Sequence, residues 1–246
     1  MDTINAQYLI AGDCAVAVKF GDEISLEING KVRMLHEALK NNPVEGVVET
    51  VPTYCSLMVH YHPDVIRYKE LVSELEDRLS HVGENTVKPK EYIVEVPVWY
   101  GGEKGVDLEE CAAFEHISVE EFIKIHSQSD YYVYMLGVAP GHPYTARFEN
   151  PFHFKRRESP RIKIPGNCLV VAGNQSNMIP FEQPCGWNIV GTLPVDVCDY
   201  NRKQPFLVQA GEWVRYIPIT ESEYKDIRKQ VLAGTYQCKR YEREVR

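Results

Sequence analysis

The run Ile164-Pro165-Gly166-Asn167-Cys168-Leu169-Val170-Val171-Ala172-Gly173-Asn174-Gln175-Ser176-Asn177 sits inside the stretch, residues 126–195, whose reading decides the fold. A five-residue apolar segment stands between two glycine-bearing turns. It is too short for a helix and has the length of a buried strand. The same punctuation recurs in Gly137-Val138-Ala139-Pro140-Gly141-His142-Pro143-Tyr144 and in Pro184-Cys185-Gly186-Trp187. Strands are expected at residues 132–136, 169–172, 188–192, 206–209 and 213–217. Many short strands joined by Gly/Pro turns predict a closed or nearly closed barrel.

Working outward, Tyr92, Val94, Val96 and Val98 alternate with other residues and open this β-rich region with a strand. Helices are predicted over residues 107–114 and 118–126, the second started by the Ser118-x-x-Glu121 pair. A last helix begins at Thr220-x-x-Glu223 and ends at Gly234. The charged tail, residues 239–246, is expected to be solvated or frayed. Towards the N-terminus, strands are predicted at residues 8–10, 15–20, 47–51 and 57–61. One helix carries Ile28, Val32, Leu35 and Leu39. A second carries Val65, Tyr68, Val72, Leu75 and Leu79, begins at Pro63-Asp64 and ends at Gly83. The order β-β-α-β-β-α implies a small sheet with both helices on one face. The expected organisation is therefore an α+β domain over residues 1–86, a polar linker over residues 83–90, and a mainly β barrel domain over residues 87–246.

A net charge of −8 disfavours nucleic acid, whose phosphates need a basic face. No apolar run approaches the ~20 residues needed to cross a bilayer, and the first residues lack a basic, apolar leader. Seven scattered cysteines without a CxxC pair read as reduced thiols, so a cytoplasmic location is expected. There is no Walker loop, HExxH, GxSxG or dinucleotide fingerprint. His60-Tyr61-His62 reads as a strand end rather than a metal pair, and no metal site is expected.

Candidate chemistry gathers in the central stretch. His126 closes a capped helix, where it either serves the helix end as a cation or acts as an acid–base group. His142 and Tyr144 follow two glycines that permit close approach of a ligand. Lys155-Arg156-Arg157-Glu158-Ser159-Pro160-Arg161-Ile162-Lys163 is the sharpest departure from an acidic chain. The forked guanidinium groups of Arg156, Arg157 and Arg161 fit a carboxylate or phosphate; the alternative is a solvated loop paired with the protein's own acids. Asn174 and Gln175 offer donors and acceptors to a small polar ligand. Trp187 is either a core anchor or a pocket wall.

These motifs resemble the carboxyltransferase subdomain C/D family. The matching residues are His126-Ser127, Gly137-x-Ala139-Pro140-Gly141-x-Pro143-Tyr144, Arg157, Pro160-Arg161, Pro165-Gly166, Ala172-Gly173-x-Gln175, Pro180, Pro184-x-Gly186-Trp187 and Ile189-x-Gly191-Thr192. Leu9-Ile10-x-Gly12-Asp13, Val51-Pro52-x-Tyr54 and Asp107-Leu108 extend the likeness over nearly the whole chain. Val138 and His142 stand where the family usually has phenylalanine, and Cys185 where it has glycine. The family includes the B subunit of the ATP-dependent 5-oxoprolinase, the histidine-kinase inhibitor KipI, proteins labelled allophanate hydrolase subunit 1, and part of urea carboxylase.

The resemblance implies a cyclophilin-like barrel for the second domain and a carboxyltransferase A/B-type partner. For an oxoprolinase it also implies a third subunit and use of ATP, with or without magnesium, by the complex. His126 and His142 are then candidate proton carriers. Tyr144, Arg156, Arg157, Arg161, Asn174, Gln175 and Trp187 become candidate contacts to a small anionic substrate. A KipI-like role would instead make a histidine kinase the partner.

Overall fold

The computed structural model describes residues 5–85, 90–146 and 152–243. The chain divides into two compact units, one before Lys90 and one from Lys90 onward.

The first unit runs β1 (Gln7–Ile10), β2 (Ala15–Lys19), α1 (Leu26–Asn41), β3 (Val47–Pro52), β4 (Ser56–Tyr61) and α2 (Tyr68–Asn85). Its four strands pair in the order β1-β2-β4-β3 and are antiparallel throughout. Val16 and Val18 of β2 and Leu57, Val59 and Tyr61 of β4 project to one face. Val32, Leu35 and Leu39 of α1 and Leu71, Leu75 and Leu79 of α2 share a core with them. The second helix starts later than the apolar pattern predicts. Val65 and Ile66 turn back on the carbonyl of His62, Val65 is exposed, and the Glu70 carboxylate accepts from the Arg67 amide at 2.9 Å to begin the helix. The buried stripe is therefore the i, i+4, i+8 leucine series rather than one through Val72. The helix runs to Asn85, past Gly83, and residues 86–89 of the expected linker lie outside the described residues.

The second unit carries β5 (Tyr92–Tyr100), α3 (Leu108–Phe114), α4 (Val119–Ser127), β6 (Asp130–Leu136), β7 (Pro143–Ala146), β8 (Arg161–Ile164), β9 (Cys168–Ala172), β10 (Gln175–Ile179), β11 (Gln183–Cys185), β12 (Asn188–Thr192), β13 (Trp213–Pro218), α5 (Glu221–Leu232) and β14 (Arg240–Glu242). The main sheet is ordered β10-β9-β12-β5-β13-β6-β7, and β8 and β11 form a separate ribbon. The sheet nearly closes into a barrel. The Thr145 amide of β7 donates to Asn177 Oδ1 of β10 at 3.1 Å, and the Thr145 hydroxyl donates to the Ser176 carbonyl. Alternation decides what fills it: Val94, Val96 and Val98 of β5, Leu169 and Val171 of β9, and Val214 and Tyr216 of β13 point into one core. Cys168, Val170 and Ile189 face the other way, into a second cluster with Trp187 and Ile164. Gly191 is required where β12 crosses β5, because a Cβ there would meet the Trp99 carbonyl at 2.8 Å.

One expectation fails here, and a second, of a solvated or frayed tail, holds in part: the tail is solvated though not frayed. Residues 206–209 make only an isolated bridge, Cys198 with Phe206. Leu207 and Val208 are buried as core plugs, and the Glu212 carboxylate captures the Gln209 amide at 2.8 Å to turn the chain. The charged tail is not frayed at residues 240–242, which add to β5 as β14. Arg240 pairs with Glu212 at 2.6 Å, and Arg243 lies over Trp213 at 4.0 Å while pairing with Glu91 at 3.0 Å. Residues 244–246 are outside the described residues. Among the described residues no helix is long and apolar enough to cross a membrane.

Candidate functional site

The site is organised by a carboxylate rather than by the basic residues the sequence draws attention to. Asp107 precedes α3, and its side chain is almost fully buried. One oxygen accepts from Arg161 Nη1 at 2.8 Å and from the Ile189 amide at 2.7 Å; the other accepts from Arg161 Nη2 at 2.7 Å and Arg157 Nη1 at 3.1 Å. The Arg161 contact is a two-pronged fork, the strongest common geometry for this pair. Arg157 also reaches Glu110 at 3.1 Å, and its amide donates to the Gly186 carbonyl at 2.7 Å. Asp107 thus joins α3, β12 and the segment leading into β8.

A second carboxylate fixes the start of that segment. Glu115, just past α3, accepts from the His153 amide at 2.5 Å, the Phe154 amide at 3.1 Å and His153 Nδ1 at 2.9 Å. Burial disfavours its charge, but the His153 and Phe154 hydrogen bonds together outweigh burial and hold the carboxyl below its usual value. Phe154 and Phe152 also bracket Gly173 through backbone bonds of 3.0 and 3.2 Å.

Between α3 and this arm lies a cleft of about 550 Å3. Glu110, Cys111 and Phe114 line it from the helix, His153–Ser159 from the arm, and Asn188 from β12. Arg156 stacks its guanidinium over the Trp187 ring, 5.2 Å from the centroid. Among the described residues no carboxylate lies within ion-pair distance of Arg156 or Lys155.

The three arginines expected to share one anion are therefore sorted. Arg157 and Arg161 are taken up by Asp107 and Glu110, and Arg156 alone faces the cleft without a carboxylate. Trp187 is a core residue, 7% exposed, with Arg156 across it. Asn174 and Gln175 sit at the β9–β10 turn, where Gly173 takes a φ of +59°, and are not among the cleft-lining residues.

The two histidines lie elsewhere. His126 is fully buried inside the barrel. Its Nδ1 shares a 2.7 Å hydrogen bond with the Tyr100 hydroxyl, and its Nε2 a 2.9 Å bond with Ser176 Oγ. Phe122, Tyr131, Phe152 and Tyr216 surround the ring. Both nitrogens are engaged and the ring is fully buried among aromatic side chains, which is the geometry of a core histidine. His142 precedes β7, stacks on Tyr144 at 5.1 Å and accepts from Gln183 Nε2 at 3.4 Å on a neutral Nδ1. Gln183 opens β11, whereas Gln175 opens β10.

Burial pushes the His142 pKa down to about 4. The folded state therefore prefers neutral imidazole, and the unfolded chain binds the extra proton. Stability contributed by this group is complete above pH ~6.5 and is lost as pH falls towards 4, up to about 3 kcal/mol. Urea unfolding of the wild type and His142→Gln at pH 7 and pH 4.5 should show a shallower pH dependence in the variant; equal slopes would count against it.

Sequence reasoning missed Asp107, Glu110 and Glu115 as site residues. The available signal was the acidic run on α3 set against the only dense basic segment of an acidic chain.

Comparison with known proteins agrees with this architecture. The family described as carboxyltransferase domain, subdomain C and D matches residues 6–208. The 5-oxoprolinase B subunit of Bacillus subtilis (strain 168) is 34% identical over 232 residues, covering 90% of this chain and 96% of that protein. Its counterpart from Escherichia coli O157:H7 is 30% identical over 217 residues, covering 87% and 96%. The urea amidolyase of Kluyveromyces lactis superposes with a TM-score of 0.81 over 98% of this chain and 16% of that one, at 19% identity, which is a likeness of fold. This chain belongs to the carboxyltransferase domain, subdomain C and D family.

Proposed function

We propose that this chain is the B subunit of an ATP-dependent 5-oxoprolinase, the complex that opens the lactam of 5-oxoproline to glutamate. The observation that carries the reading is the end-to-end match to proteins named as the 5-oxoprolinase B subunit, which leaves little of either chain unaligned. In this reading the second unit is of the cyclophilin-like type. The chain works in the cytoplasm with a carboxyltransferase A/B-type subunit and a third subunit, and is inactive alone.

The described residues do not fit a triphosphate. The glycines ahead of α3, Gly101, Gly102 and Gly105, lead to Asp107 rather than to the Lys-Ser/Thr pair of a phosphate loop, and Arg157 and Arg161 are already paired with Asp107 and Glu110. In this reading ATP binds the partner chains. A lactam is a weak electrophile, and its opening needs the ring held still while negative charge develops on the carbonyl oxygen. The share of this chain is to bind and orient the anionic ring. Co-expression with both partners should give a complex that releases glutamate from 5-oxoproline only when ATP is present. An assembled, folded complex without that turnover would remove the reading.

A further inference from the structure

We propose that the cleft beside α3 is a small monocarboxylate site in which Arg156 is the charge-pairing residue, and that it fills without ATP. The identity of the ligand, 5-oxoproline, rests on the function proposed above; the ligand class rests on the cleft itself.

The sorting of the arginines decides the residue. Taking Arg157 or Arg161 for a ligand would leave the buried Asp107 carboxylate short of donors, which is costly. Arg156 is bound to no such framework. Its guanidinium carbon lies over the Trp187 ring, 5.2 Å from the centroid, and no described carboxylate takes up its N–H groups, which leaves them for a ligand. The backbone beneath is fixed, because the Lys155 carbonyl accepts from Asn188 Nδ2 at 3.0 Å and the Arg157 amide is bound to Gly186. The fork is thus held at the cleft edge before any ligand arrives. Lys155 adds a second exposed cation.

The rest of the lining selects among anions. Phe114, 58% exposed, and Phe154 give an apolar wall suited to ring methylenes. Glu110 and Glu158 add negative charge, so a dianion meets about twice the repulsion that a single carboxylate does. A cyclic monocarboxylic acid therefore fits better than inorganic phosphate.

The test uses the full chain and calorimetric or NMR titration without ATP. The ligands are 5-oxoproline, its methyl ester, and inorganic phosphate. The acid should bind, the ester at least 10-fold more weakly, and phosphate more weakly than the acid. Arg156→Met keeps an apolar stem on Trp187 and should weaken the acid at least 10-fold, whereas Glu158→Gln should tighten phosphate several-fold. Equal binding of acid and ester, or an unchanged affinity in a folded Arg156→Met chain, overturns the proposal; the ester comparison stands even if that variant fails to fold. A complex that turns over 5-oxoproline equally well with Arg156→Met overturns this site and leaves the proposed function intact. Binding of other cyclic monocarboxylates through Arg156, with no turnover of 5-oxoproline by the assembled complex, overturns the function and leaves the site.

Discussion

Replacing Asp107 with alanine will destabilise the second unit by about 3 kcal/mol, the lower end of the cost of breaking a buried ion pair from one side. Four donors converge on this carboxylate: three guanidinium contacts and the Ile189 amide. Removing it strands the amide in a buried strand and leaves two cations facing each other. Arg157 and Arg161 are each more than a quarter exposed, so water recovers part of the loss. Asp107→Asn should cost nearly as much, because an amide nitrogen would point a donor at donors. All three tryptophans, Trp99, Trp187 and Trp213, lie in the second unit, so their fluorescence during urea unfolding follows that unit. A loss below about 1 kcal/mol, the scale of a surface ion pair, would show that the clamp is not what holds the arm.

His126→Ala should cost about 3–4 kcal/mol, from the range for emptied ring-sized core sites. The ring is enclosed by the aromatic side chains of Tyr100, Phe122, Tyr131, Phe152 and Tyr216, and its loss also leaves the Tyr100 and Ser176 hydroxyls without their shared partner. His126→Phe separates the two contributions: it keeps the stacking on Phe122 and Phe152 but not the hydrogen bonds, and should recover only part of the stability. Under a core role, the complex assembled with His126→Gln keeps its turnover per folded molecule while its unfolding midpoint drops. A loss of turnover at unchanged stability would return His126 to the chemistry.

The barrel was legible because short apolar runs between Gly/Pro turns admit few other readings. The residues of β5, β9, β12 and β13 carry that pattern openly. Strand β14 was not legible: Arg240-Tyr241-Glu242 has no apolar alternation. Around it, Arg240 meets Glu212, and the adjoining Arg243 meets Glu91 and Trp213. Residues 206–209 misled in the opposite direction, since Leu207 and Val208 are apolar to fill the core and not to sit in a ladder. At the site, the basic segment announced itself by charge. Its division of labour did not, because that depends on Asp107, which lies 50 residues upstream of Arg157 and meets it only in the fold. A count of arginines reads as one anion site; the buried carboxylate turns two of them into framework.

The edge of β5 is shared. β12 pairs with Trp99 and Tyr100 at one end, and β14 pairs with Tyr92, Ile93 and Val94 at the other. During synthesis, β5 leaves the ribosome roughly 140 residues before β14, so about a third of that edge stays open until residues 240–242 have emerged. A bare strand edge is a template for other nascent chains. Yield in the cell should therefore respond to elongation rate and chaperone supply more steeply than the stability of the finished protein would indicate.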